Sequence, residues 1–390
     1  MPEMPELNPD DDFAADIIGI SSYAPDDRKK KQFLPWHKPR KQFVRQAQWV
    51  VQINKMVDDI MPENNTLKYL GLPGDDLLDL RYFHQHICVP KNLQLKFLGF
   101  NRGANPSSSQ KAELNISLDE VNKLKLVDPS SDIMGDDICQ IANVDSLAWD
   151  KSKRMGPYDV INIDLCDGFG KHHPDQFKET HYNTLMQLLT LQARRANPWL
   201  LLITTRTGSD HVESDVFQIL KNLYLKNLDG NDAFRQSSNT KFSIGDIEGL
   251  EKACLSEGGS SNVFLVSLCK WIASIITGQN PPAKMEVKSV LGYKVDINVS
   301  HQDLVSLAIR IEPTFEVKPD IIGLAILGNN LSNEGAMAIQ ALDRISKLGD
   351  VDKILADDGV LMKEMISVSS DLLSEARYDI ESYADWAIEQ

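Results

Sequence analysis

From residue 67 onward, short apolar runs alternate with longer polar stretches of helical spacing, the pattern of a parallel sheet covered by helices. Residues 67–71 (LKYLG) predict a first strand, closed by the tight turn Gly71-Leu72-Pro73-Gly74. Residues 75–86 predict a helix with Leu77, Leu80 and Phe83 on one face and Asp75 and Asp76 at its N-terminus, where carboxylates suit the helix dipole. A second strand is predicted over 95–100, ending at Asn101, then a polar helix over 117–125 and a short element over 137–141. Residues 158–164 (YDVINID) form the strongest strand signal, because β-branched residues run into Asp164 with Gly168 and Gly170 just beyond. A helix over 181–196, a buried strand over 199–205 and an amphipathic helix over 214–228 follow.

The pattern weakens after residue 260. Residues 263–276 suit a buried helix or strand, 278–282 a linker, 286–299 a strand, and 301–312 either element. Helical spacing returns over 333–348 and again over 357–389, where Leu361, Met365, Leu372, Ala376, Ile380, Tyr383 and Ala387 fall on one stripe. At the other end, residues 1–27 are acidic and Pro-rich with no Lys or Arg, a composition expected to stay disordered. Residues 28–64 read as a basic arm and a leading helix. The expected fold is therefore α/β: a Rossmann-like, doubly wound, mostly parallel sheet over 65–280, with a smaller α+β or helical C-terminal region over 281–390.

Composition narrows the function classes. Of 390 residues, 42% are hydrophobic and 25% charged, which suits a folded globular chain. No apolar run approaches the roughly 20 residues of a membrane span, and the acidic N-terminus does not resemble a secretory signal, so a cytoplasmic protein without a membrane role is expected. Cys88, Cys139, Cys166, Cys254 and Cys269 contain no CxxC pair, so neither a disulfide framework nor a zinc knuckle is expected. A net charge of −15 repels nucleic acid on average and confines any such contact to a local basic patch. That patch is the arm, where Lys29, Lys30, Lys31, Lys38, Arg40, Lys41 and Arg45 interleave with aromatics including Trp36, cations for phosphates and rings for bases. The same pattern equally suits an arm that docks on the protein's own acidic body.

The order strand, glycine turn, helix, strand, acidic loop, strand ending in Asp, helix, strand resembles the class I S-adenosylmethionine-dependent methyltransferases over 65–267. The resemblance implies a cofactor held by Gly71, Pro73 and Gly74 at the turn, by Asn101 where the family places a ribose-binding acid, and by Asp136 and Asp137 near the adenine. It implies methyl transfer beside Asp164, with Asp167 second, each orienting the acceptor or receiving its proton. The sequence departs from the family in three places: Tyr69 or Leu70 stands where an acid is usual, Asn101 lacks the charge, and Asp164 lacks the following proline and aromatic.

Blander roles compete at each position. Asp164 equally suits a helix cap, Cys166 a packed thiol, and Arg206 either a ligand phosphate or a salt bridge to Asp210 or Asp164. His172, His173, Asp175 and His181 suit a solvated loop, so no metal is expected. Three readings follow: a methyltransferase acting on nucleic acid or a nucleotide-like substrate, a degenerate methyltransferase-like subunit with protein partners in an assembly such as bacterial anti-phage defence, and a magnesium nuclease using the acidic residues.

Overall fold

The structure is a computed structural model that describes residues 31–105, 107–108, 110–171, 178–295, 299–314 and 334–388. The acidic tail, Lys29, Lys30, His172, His173 and Asp175 lie outside the described residues. Eight strands form one sheet: β1 (Thr66–Gly71), β2 (Gln94–Phe100), β3 (Asp132–Met134), β4 (Val160–Gly168), β5 (Trp199–Arg206), β6 (Ala283–Tyr293), β7 (Leu304–Pro313) and β8 (Gly349–Asp350). Their order is β3-β2-β1-β4-β5-β7-β6-β8. The first five are mutually parallel, while β7 runs antiparallel to both β5 and β6. The winding reverses between β1 and β4, which makes the carboxyl ends of these two strands the switch point of a Rossmann-like sheet. This is the Rossmann-like α/β architecture the sequence predicts, with an antiparallel hairpin beyond β5.

Both faces of the sheet are buried, so adjacent residues on one strand feed different layers. Leu70, Ile161, Ile163 and Leu201 pack under α5 (His181–Gln192), α6 (Ser214–Gly230), α9 (Glu257–Thr277) and α10 (Glu334–Ile345). Their neighbours Tyr69, Val160, Leu200 and Leu202 pack under the opposite layer. That layer starts with α1, which begins at Pro39–Phe43, widens through Val44–Val50 and ends at Val51–Asp59. It continues with α2 (Leu78–Phe83), α12 (Gly359–Glu375) and α13 (Tyr383–Ile388). Trp49 Nε1–H donates to Ser306 Oγ at 3.3 Å and the Gln48 amide to Ser306 O at 2.9 Å, which fixes α1 across β7. α9 is long and apolar enough to cross a membrane, but 61% of its apolar window is buried inside the fold, as befits a core helix.

Further helices are α3 (Lys111–Asn122), α4 (Leu147–Met155), α7 (Asp232–Phe242), α8 (Ile247–Ala253) and α11 (Val351–Asp357). Several expectations need correction. The helix predicted from 75 starts at Leu78, because Leu77 adopts a left-handed backbone (φ 54°). The polar helix predicted over 117–125 lies at Lys111–Asn122, and the third strand is Asp132–Met134 rather than the 3-10 turn Ile138–Ala142. Residues 283–313, expected to belong to the C-terminal region, supply two strands to the same sheet. The stripe over 357–389 is not one long helix: it breaks after Glu375, where Arg377 is left-handed (φ 68°).

Candidate site at the carboxyl edge of the sheet

β1 delivers Gly71-Leu72-Pro73-Gly74 to the switch point. A Cβ on Gly71 would overlap the Tyr69 ring, coming within 2.6 Å of its Cζ. Tyr69 is 1% exposed, so the room that glycine leaves is filled by the chain's own aromatic. Pro73 packs on Gly99 of β2, while Gly74 is exposed with open space around it. Asn101, at the end of β2, is held by its own loops. Its amide donates to Pro73 O (3.0 Å) and Asp75 Oδ1 (2.9 Å), and its Oδ1 accepts from Gly103 N (2.6 Å). Burial, partly opposed by that Asn101 bond and reinforced by Asp76, raises Asp75 above the usual carboxylate range. After β3, the backbone of Ala104 and Asn105 covers the position where Gly135 lacks a Cβ. Asp137 accepts from Cys139 N at 2.8 Å and pairs with Arg102, and these bonds outweigh burial to lower its pKa. Asp136 is half-buried beside it.

The basic arm lies over this edge. Lys41, with a side chain 5% exposed, pairs with Asp164 and sits 4.5 Å from the centre of the Trp49 ring. Arg45 pairs with Asp79 of α2 at 2.5 Å. Lys31 bonds Asp76 (2.7 Å), Glu113 (3.3 Å) and Ala376 O (2.9 Å). Lys38 donates to Trp386 O at 2.5 Å, and Arg40 donates to Lys294 O and faces Asp352. Trp36 remains 41% exposed. The described cations of the arm thus meet acids and carbonyls of their own chain, several of them in the C-terminal helices.

His37 sits at the centre of this clasp, 2% exposed. Leu34 N–H donates to its Nδ1 at 3.0 Å, so the ring hydrogen belongs on Nε2, which is buried with no hydrogen-bond partner and faces Asp76 Oδ2 at 4.0 Å. Burial, opposed by Asp76 and reinforced by Arg45 and Lys31, lowers its pKa from 6.5 to about 4. Between those values the unfolded chain binds a proton that the folded chain refuses, so stability rises with pH there. It should be complete above 6.5 and decline as pH falls toward about 4. Urea unfolding at pH 7 and pH 5 should show this decline, reduced in His37→Gln; an equal decline in both proteins would refute the assignment.

β4 is irregular between Asp164 and Gly168, where its register against β5 shifts, and bulges of this kind turn side chains outward. Asp167 is 51% exposed and meets His211 Nδ1 at 2.5 Å and Lys171 at 3.2 Å. Despite some burial, bonds from His211, Gly168 N and Lys171 hold its carboxyl below the usual range. This Asp–His pair was not singled out from sequence, since His211 lies 44 residues away behind another strand. Arg206 pairs at 2.6 Å with Asp303, not with Asp210 or Asp164. The Cys166 thiol is raised by burial and by Asp164, a poor setting for a nucleophile.

S-adenosylmethionine does not fit the residues as they stand. A ribose acceptor in this family is a carboxylate, whereas the Asn101 amide is uncharged and turned onto its own loops, with both N–H groups and one acceptor position of Oδ1 taken. A ligand against Gly71 would need the volume of the Tyr69 ring, and an acceptor beside Asp164 would have to displace Lys41.

The model of the PP_RS20740-like family matches residues 30–388. No curated protein matches the chain. Among solved structures, the chain is similar to a protein of Listeria monocytogenes assigned to the class I S-adenosylmethionine-dependent methyltransferases, at 10% identity over 81% of this chain and 73% of that one, with a TM-score of 0.36. It is also similar to a protein of Corynebacterium glutamicum described as a probable spermidine synthase, at 12% identity over 77% and 70% of the two chains, with a TM-score of 0.30. Overlaps this loose carry over neither a site nor an activity.

Proposed function

The chain belongs to the PP_RS20740-like family, and from that premise we propose that it uses a methyltransferase-like fold as a cytosolic protein-binding scaffold, in an assembly such as an anti-phage complex, rather than as a container for S-adenosylmethionine. The observation that carries this reading is the self-occupied switch point: Tyr69 fills the space beside Gly71, Asn101 is bonded to its own loops, and Lys41 neutralises Asp164. A protein partner suits the chain better than nucleic acid, because the net charge is −15 and the described arm cations are engaged internally.

Thermal unfolding with S-adenosylmethionine and its demethylated product tests this. A ligand of the native state at about 100 times its Kd adds about 2.7 kcal/mol, a rise of a few degrees for a chain of this size. No rise at millimolar ligand is expected, and a reproducible rise would overturn the scaffold reading.

A second reading, a methyltransferase acting on a nucleotide-like substrate, is favoured by one observation. The Asp167–His211 pair sits at the ligand-binding edge with the imidazole oriented by a carboxylate, an arrangement suited to taking a proton from an acceptor. The same titration decides between the two.

A further inference from the structure

The arm that lies over the switch point is itself held by the far end of the chain. Phe33 packs on Tyr378, Tyr383 and Trp386, with ring centres 5.9, 5.2 and 5.2 Å away. Tyr383 donates its hydroxyl to His37 O at 2.6 Å, and Lys38 Nζ lies 3.9 Å from the centre of the Trp386 ring. Tyr378 donates to Asp76 Oδ2 at 2.6 Å, beside the Lys31 ammonium that also reaches Ala376 O. Each segment therefore forms part of the surface on which the other rests, and neither keeps these contacts when its partner leaves.

The arm is attached by a different kind of contact from the helix it leads into. Within 31–43 the buried side chains are His37, Lys38, Lys41 and Gln42, with Pro39. The buried apolar side chains of α1 start only at Val44 and continue with Trp49, Val50, Ile53, Met56 and Val57. Apolar burial stabilises in proportion to area, whereas buried ions lose much of their attraction to the hydration they give up. Closure also leaves His37 Nε2 buried with no hydrogen-bond partner, a cost that water removes on opening. The backbone is irregular where both segments join the body. α1 widens from α to π at Val44, and Arg377 is left-handed (φ 68°) where 378–388 leaves α12.

We propose that residues 31–43 and 378–388 form one two-ended latch over the carboxyl edge of β1 and β4. The two segments open together while the sheet and the rest of α1 stay folded, and opening withdraws Lys41 and uncovers Asp164. This is a control on the self-occupied edge and rests on that reading of it. Contacts that join two segments distant in sequence make them one cooperative unit of local unfolding, with an opening free energy below that of the core.

Hydrogen exchange of the full chain at pH 7, read by mass spectrometry, tests this. Peptides within 33–43 and 378–388 should share one opening constant, about 100-fold or more above that of 48–57, β4 and β5. Phe33→Ala removes a half-buried ring and its three aromatic contacts, and should raise exchange of both segments about tenfold while leaving β4 and β5 as they are. Coupling of glycine ethyl ester to Asp164 by a carbodiimide should rise in the same proportion, whereas Asp167, already 51% exposed, should label equally in both proteins. Protection of 33–43 equal to that of 48–57 in the parent, exchange of 378–388 untouched by Phe33→Ala, or Asp164 labelling that stays flat as exchange rises would each overturn the latch. These readouts involve no S-adenosylmethionine, so the latch and the scaffold reading fail separately.

Discussion

Lys41→Met should destabilise the protein by about 3–5 kcal/mol, whereas Lys41→Met combined with Asp164→Leu should recover most of that loss. The Lys41 and Asp164 side chains are 5% and 16% exposed and form one ion pair between α1 and β4. Removing the cation leaves a carboxylate with little water and no counter-charge, so the single variant carries the cost of a stranded ion. Removing both leaves an apolar contact beside Trp49, whose ring already faces Lys41. Denaturant unfolding of the parent, the two single variants and the double variant gives the coupling directly. A loss below about 1 kcal/mol in Lys41→Met would place the pair among solvent-screened ion pairs, leaving Asp164 free for a ligand. The result bears on function because an acceptor at Asp164 has to compete with a cation the chain provides itself.

The parts of this edge that were legible from sequence are those encoded locally. β1, β2, β4 and β5 are compact apolar runs, each closed by Gly, Asn, Asp or Thr-Arg, and their parallel pairing follows from the helices between them. β3 is three residues with Ile133 alone buried, too short to show a period. The hairpin β6–β7 reads poorly because the segment before it resembles a linker, although Gly278–Pro282 only turns the chain back into the sheet.

The site was less legible, for a different reason. Asp164 and Asp167 stand out because they end a strand, but their environments are set by distant residues. Lys41 lies 123 positions before Asp164, Tyr378 donates to Asp76 across 302 positions, and His211 is separated from Asp167 by a helix and a strand. The glycine turn shows the same limit. Gly71 marks a place where a side chain cannot fit, which sequence does reveal, but what occupies the space is the ring of Tyr69 two residues earlier on the same strand face. Likewise the basic segment is visible as charge, while its docking on Asp76, Asp79, Asp164 and Asp352 depends on the completed fold.

Gly168→Ala should destabilise the protein by about 3 kcal/mol, at the upper end of the usual cost of overpacking, and should separate His211 from Asp167. Gly168 ends β4, and a Cβ there would overlap the carbonyl oxygen of His211 and lie 2.9 Å from its Cβ. That neighbour is backbone, held by the short turn Ser209–His211, whose Ser209 N and Oγ are bonded to Glu257 at 3.2 and 2.8 Å. The turn therefore has no flexible side chain to swing aside, and relief requires moving the whole segment that carries the imidazole. His211→Gln is the matched control, because it removes the exposed pair without crowding the backbone and should cost less than about 1 kcal/mol. Denaturant unfolding measures the stabilities, and the imidazole 15N shifts of His211 report whether its Nδ1 still faces a carboxylate. A Gly168→Ala protein as stable as the parent, with an unchanged His211 spectrum, would mean that β4 and the turn do not approach so closely. The Asp167–His211 pair would then be a chance surface contact, and the methyltransferase reading would lose the observation that favours it.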